Sequence, residues 1–171
     1  MKTKKLTVLA LSVALAMILS FVESQIPAFV PIPGVKIGLA NIVVVFALYK
    51  LSWKEAVGIS LLRVFLVSVL FGHAASFFYS FAGAVFSFCG MVLLKKTGKF
   101  SHVAVSVAGG VLHNAGQILM ACILLGTNII AYYLPILILS GTLAGIVIGL
   151  LASVMVSRIR LELQPEEKGK S

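Results

Sequence analysis

Aspartate is missing from all 171 residues, and the acidic side chains are five glutamates, Glu23, Glu55, Glu162, Glu166 and Glu167. That excludes chemistry built on Asp-rich metal motifs. Charge of either sign is scarce, at 11% of residues, where a soluble domain carries about 25%. The two cysteines, Cys89 and Cys122, fall inside apolar runs and read as small packing residues, not a disulfide. The three histidines, His73, His102 and His113, have no ligand spacing, so neither a metal site nor a cofactor is expected. No nucleotide-binding motif is present. What the chain has instead is hydrophobicity, 60% apolar residues and a mean hydropathy of +1.12, which implies an all-α integral membrane protein.

A hydrocarbon core about 30 Å thick takes about 20 apolar residues per helix. Apolar runs bounded by charge, proline or glycine give six spans, at about 6–26, 34–49, 56–71, 74–94, 103–125 and 129–156. The run from Ala56 to Leu94 is too long for one crossing and divides at Gly72 and His73, while Pro135 is expected to kink the start of the last span. Sorting the basic residues tests the scheme. Lys2, Lys4, Lys5, Lys50, Lys54, Lys95, Lys96, Lys99, Arg158, Arg160, Lys168 and Lys170 fall on one side, 12 of 14; Lys36 falls on the other and Arg63 within a span. By the positive-inside rule both termini are cytoplasmic, in the cell membrane. The net charge of +9 then reports orientation, and no nucleic-acid partner is expected. The organisation is one transmembrane domain, 1–157, and a polar cytoplasmic tail, 158–171. Lys2, Lys4 and Lys5 before an apolar run resemble a signal peptide, but the run continues to Val22, so an uncleaved first helix is expected.

Polar groups inside the bilayer are costly, about 2.5–3.5 kcal/mol for a charge on insertion scales, and are therefore candidates for function. Arg63 lies about 10 Å in by helical rise. Its plainer reading is a side chain snorkelling to the interface. Glu23 and Gln25 end the first span, Lys36 and Asn41 begin the second, and His73 lies at the turn between the third and fourth. His113, Asn114 and Gln117 are spaced to share one face of the fifth span. Each alone fits an interfacial or interhelical hydrogen-bonding role. Together, Glu23, Lys36, Asn41, Arg63, His73, His113, Asn114 and Gln117 outline a polar, outward-opening substrate pocket.

The segment Pro27 to Lys36 holds three prolines and Gly34, which suits either a rigid connector or a cap over that pocket. A helix start beside Lys36 would also suit an anion. Gly141, Gly145 and Gly149, with Gly34 and Gly38, repeat every four residues and allow helices to approach closely. Ala10 and Ala14 form a similar pair, read either as an internal contact or as a partner-docking surface.

Glu23 and Pro27, Pro33-Gly34-Val35-Lys36-Ile37-Gly38-Leu39-Ala40-Asn41, Leu62-Arg63, Phe71-Gly72, His113-Asn114-Ala115-Gly116-Gln117 and Tyr133-Leu134-Pro135 resemble the Gx transporter family over nearly the whole chain. That family also carries the label heptaprenyl diphosphate synthase component I. It is similar in turn to the S components of energy-coupling factor (ECF) transporters, six-helix proteins with an outward ligand pocket. The resemblance implies a substrate-binding subunit in the lipid bilayer, not an enzyme. It would capture a small molecule, an anion included, of vitamin, flavin or isoprenoid/quinone type. It implies docking through Ala10 and Ala14 on an ECF-type transmembrane coupling protein with its ATPases. The synthase label fits poorly, because prenyl elongation needs paired carboxylates to hold magnesium. The alternatives are a non-catalytic accessory subunit of heptaprenyl diphosphate or quinone synthesis, or a scaffold in flavin-based extracellular electron transfer.

Overall fold

A backbone in hydrocarbon must satisfy its own hydrogen bonds, which helices do within one segment. The computed structural model describes residues 2–25, 38–71 and 74–159, without the Lys2 side chain. Among these, the regular structure is entirely helical: α1 (Lys2–Gln25), α2 (Asn41–Lys50), α3 (Trp53–Phe71), α4 (Ala74–Thr97), α5 (His102–Leu125), a 3₁₀ turn (Ile129–Tyr133) and α6 (Leu134–Arg158). Four segments are long and apolar enough to cross a membrane: α1, α4, α5, and the 3₁₀ turn with α6. This is a multi-pass membrane protein. The 19-residue α3 is about 28 Å long. It carries Lys54, Glu55 and Arg63.

Local chemistry sets the helix ends. Ser52 and Glu55 form a reciprocal capping box on α3, the Ser52 N–H donating to Glu55 Oε2 at 2.7 Å and the Glu55 N–H to Ser52 Oγ at 3.4 Å. Ser101 Oγ accepts the Ala104 N–H at 3.2 Å to start α5, which Gly126 ends in the left-handed conformation. Two expected boundaries move. Among the described residues the second span is helical only from Asn41, where α2 starts after Gly38 turns the chain with φ +76°. Pro135 does not kink a long last span. It sits in the first turn of α6, where its missing N–H costs nothing, and the residues before it form the 3₁₀ turn. The turn at 72–73, the segment 26–37 and the tail from 160 lie outside the described residues.

Two kinds of packing follow. In α4, α5 and α6, small residues bring backbones together. A methyl added to Gly110 would lie 2.5 Å from Gly141 O, and one added to Gly116 would lie 2.9 Å from Ala82 O. Gly145 and Gly149 press in the same way on Val107 and Val103, as their spacing implies. The short α2 is apolar on every side, and Ile42 through Leu48 are all buried, as expected of a helix at the centre of a bundle. Its last turn is capped by Lys95, whose Nζ donates to Leu48 O and lies 5.0 Å above the Tyr49 ring. The Tyr49 ring meets His102 edge-on at 4.2 Å. Lys5 pairs with Glu55. These contacts gather the start of α1, the end of α2, the start of α3, the end of α4 and the start of α5 at one basic end. Large apolar side chains such as Leu11, Ile18, Phe78, Leu139 and Leu143 are exposed on the outside, the surface a lipid would cover.

Candidate functional site

The half of the bundle away from the basic end holds a polar cavity of about 90 Å³. Its lining comes from five helices and one turn: Ser20, Glu23 and Ser24 from the end of α1, Gly38 from the turn before α2, Asn41 from the start of α2, Arg63, Ser68 and Phe71 among others from α3, Ser76 and Ser80 from α4, and His113 and Gln117 from α5. Arg63 is ten residues into α3, about 15 Å along its axis. There the guanidinium Nη1 donates to Ser20 Oγ at 3.4 Å. Its Nε is buried and has no acceptor among the described residues.

Glu23 is 8% exposed and accepts the Gly38 N–H. That bond joins the end of α1 to the turn leading into α2, whose first N–H groups have no partner within the helix. The Glu23 charge acts on Arg63 across the cavity, with no direct ion pair between them among the described residues. Gln117 is 7% exposed, and its Oε1 has no donor among the described residues. Gly83 on α4 makes this approach possible, since a methyl there would meet both His113 and Gln117 at 2.9 Å. The cavity therefore offers a cation, a carboxylate, amides and several hydroxyls.

Of the pocket residues expected from sequence, the structure brings together Glu23, Asn41, Arg63, His113 and Gln117. Asn114 goes elsewhere. It is 4% exposed and donates from Nδ2 to Leu137 O at 2.6 Å, a bond that ties α5 to α6. One residue on from His113 is a rotation of about 100°, which is enough to turn it to the other neighbour. Lys36 and His73 lie outside the described residues. Ala10 and Ala14 are both exposed on α1. Among the described residues no group of three or more His, Cys, Asp or Glu is placed to hold a metal ion.

Sequence reasoning missed the five serines, Ser20, Ser24, Ser68, Ser76 and Ser80. Their signal was the four-residue spacing of Ser20 with Ser24 and Ser76 with Ser80 in apolar helices. It is weak, because a helical serine readily bonds its own backbone, as Ser24 does to Phe21 O at 2.6 Å.

The family model described as heptaprenyl diphosphate synthase component I matches residues 12–155 of the chain. The match covers all six helices at least in part and every residue of the cavity. No curated protein and no solved structure gives a significant match.

Proposed function

We propose, from the premise that the chain belongs to the heptaprenyl diphosphate synthase component I family, that it is a non-enzymatic substrate-binding subunit of a membrane transport system. The observation that carries this reading is the cavity in which Arg63, Glu23, Gln117 and five serines meet in the far half of the bundle. Burying that many polar groups without a ligand is costly, and membrane proteins keep such residues along substrate paths. In this reading all six helices are membrane segments, the basic end faces the cytoplasm and the cavity opens outward in the cell membrane. Lys36 and His73, outside the described residues, belong to this reading as further substrate contacts. The cavity is well below the 300–1,000 Å³ usual for a whole drug-sized ligand. It therefore grips one polar group of a vitamin-, flavin- or isoprenoid/quinone-like molecule. Release inward depends on an ATP-driven partner of ECF type, with the exposed Ala10 and Ala14 face of α1 as its docking surface.

Mass spectrometry of small molecules retained by the detergent-extracted chain tests the proposal. A retained compound that Arg63→Ala loses is the expected result, and an empty protein would sink it. The second reading is a non-catalytic accessory subunit in prenyl diphosphate synthesis, favoured by the family's description. It requires deletion of the chain to lower prenyl elongation, whereas capture leaves elongation unchanged.

A further inference from the structure

The unmet groups in the cavity are of opposite kinds. Arg63 is only ever a donor, and its buried Nε has no acceptor among the described residues. Gln117 Oε1, which lines the same cavity from α5, is an acceptor with no donor among them. The serine hydroxyls donate or accept by rotating, so they do not discriminate between ligands. Arg63 and Gln117 do. With the Gln117 amide oriented as it is, a phosphate or a quinone carbonyl supplies only acceptors and leaves Oε1 unmet, and a prenyl chain answers neither residue. A group with both functions side by side answers both. Size points the same way. A cavity of about 90 Å³ has room for part of a ligand, such as the edge of one ring.

Resting on the capture reading, we propose that the cavity recognises a ring edge in which a carbonyl stands beside an N–H, as in a cyclic imide or ureide, with the carbonyl taken by Arg63 and the N–H by Gln117. The Glu23 carboxylate, bonded to Gly38, has lone pairs left for a second N–H on the same ring. The rest of the ligand lies toward the mouth.

The test uses the full-length protein in detergent, with binding of uracil, 1,3-dimethyluracil and inorganic pyrophosphate measured by equilibrium dialysis. Molecules retained on extraction are identified in parallel. Dimethyluracil keeps the ring and both carbonyls but has no N–H. The expected result is uracil bound about tenfold or more tighter than either other probe. Gln117→Leu erases that preference, and Gln117→Glu, which keeps an acceptor oxygen, preserves it, with melting temperatures checking that each variant folds. A retained molecule bearing a carbonyl and N–H edge supports the inference even where free uracil does not bind. Dimethyluracil or pyrophosphate bound as tightly as uracil overturns it and leaves capture standing, as does a retained molecule without such an edge. No probe bound and nothing retained overturns both.

Discussion

The two halves of the helix order pack at different distances. From α4 to α6, glycines set backbone against backbone, and the space between helices is filled. From α1 to α3, the helices pack on an apolar core that includes Ala16, Val44, Leu48 and Ile59, and polar links made by longer side chains fasten them along it: Lys5 to Glu55 at one end, Ser20 to Arg63 further along, and Glu23 to Gly38 at the turn. A glycine contact is short-ranged and leaves no room for a guest. A link made through long side chains tolerates a gap, and the cavity lies where the linked half meets the close-packed one. The sharpest way to break this comparison is Gly141→Val. Its Cβ would lie 2.8 Å from Gly110 O and 2.9 Å from Asn114 Nδ2, so a backbone must move. The expected cost is about 3 kcal/mol, read as a lower midpoint of thermal unfolding in detergent. A change of a few tenths would mean that α5 and α6 are not closed by glycine.

On the other side of the comparison, Arg63→Ala should damage binding more than folding. Among the described residues the guanidinium makes one long hydrogen bond, to Ser20, so the bundle loses little when it goes. A ligand loses a bond to a charged donor, worth about 2 kcal/mol, or about 30-fold in affinity. Isothermal titration with whichever molecule is found retained measures the loss. Arg63→Lys keeps the charge without the planar fork and should recover only part of it. A variant that unfolds but binds normally when cooled would instead assign Arg63 a structural role.

How much was legible beforehand divides along the same line. Glycine periodicity at 141, 145 and 149 announced the close packing of α6, because that packing depends on spacing within one helix. Long apolar runs announced α1, α4, α5 and α6. Arg63, Glu23 and Gln117 stood out as polar groups in apolar sequence, and the structure gathers them. The serines did not stand out, since a hydroxyl is cheap to bury when it bonds its own helix. The shortness of α2 was hidden as well. It follows from the left-handed turn at Gly38 and the Glu23 bond across it, a contact between residues that no single-helix pattern couples. Asn114 shows the limit at the scale of one residue. A spacing rule placed it with Gln117, and the register against α6 took it away.

A smaller effect tests the basic end. Burial pulls the Glu55 carboxyl upward, but hydrogen bonds from Lys5 and from the Ser52 backbone and hydroxyl, with the Lys5 charge, outweigh it and hold the group below its ordinary value. A carboxyl lowered in the folded state adds stability that is full above its unfolded pKa, about 4.3, and is lost as the pH falls through the folded value. Lys5 is half exposed, so the contribution is under about 1 kcal/mol. Unfolding midpoints of the natural chain should therefore fall between pH 5 and pH 3 by more than those of Glu55→Gln. Parallel curves would show that the α1 to α3 link adds nothing.

The smallest expected effect has the opposite sign from the first. Gly58 lies on the exposed side of α3, and a methyl added there meets nothing within 4 Å. Alanine is the better helix former by about 0.5–1 kcal/mol, so Gly58→Ala should raise the melting temperature slightly. The same glycine-to-larger change is thus destabilising on α6 and stabilising on α3. If both substitutions destabilised by similar amounts, α3 would be closed against a neighbour as tightly as α6 is. The cavity beside Arg63 would then owe its space to something other than the looser attachment of the first three helices.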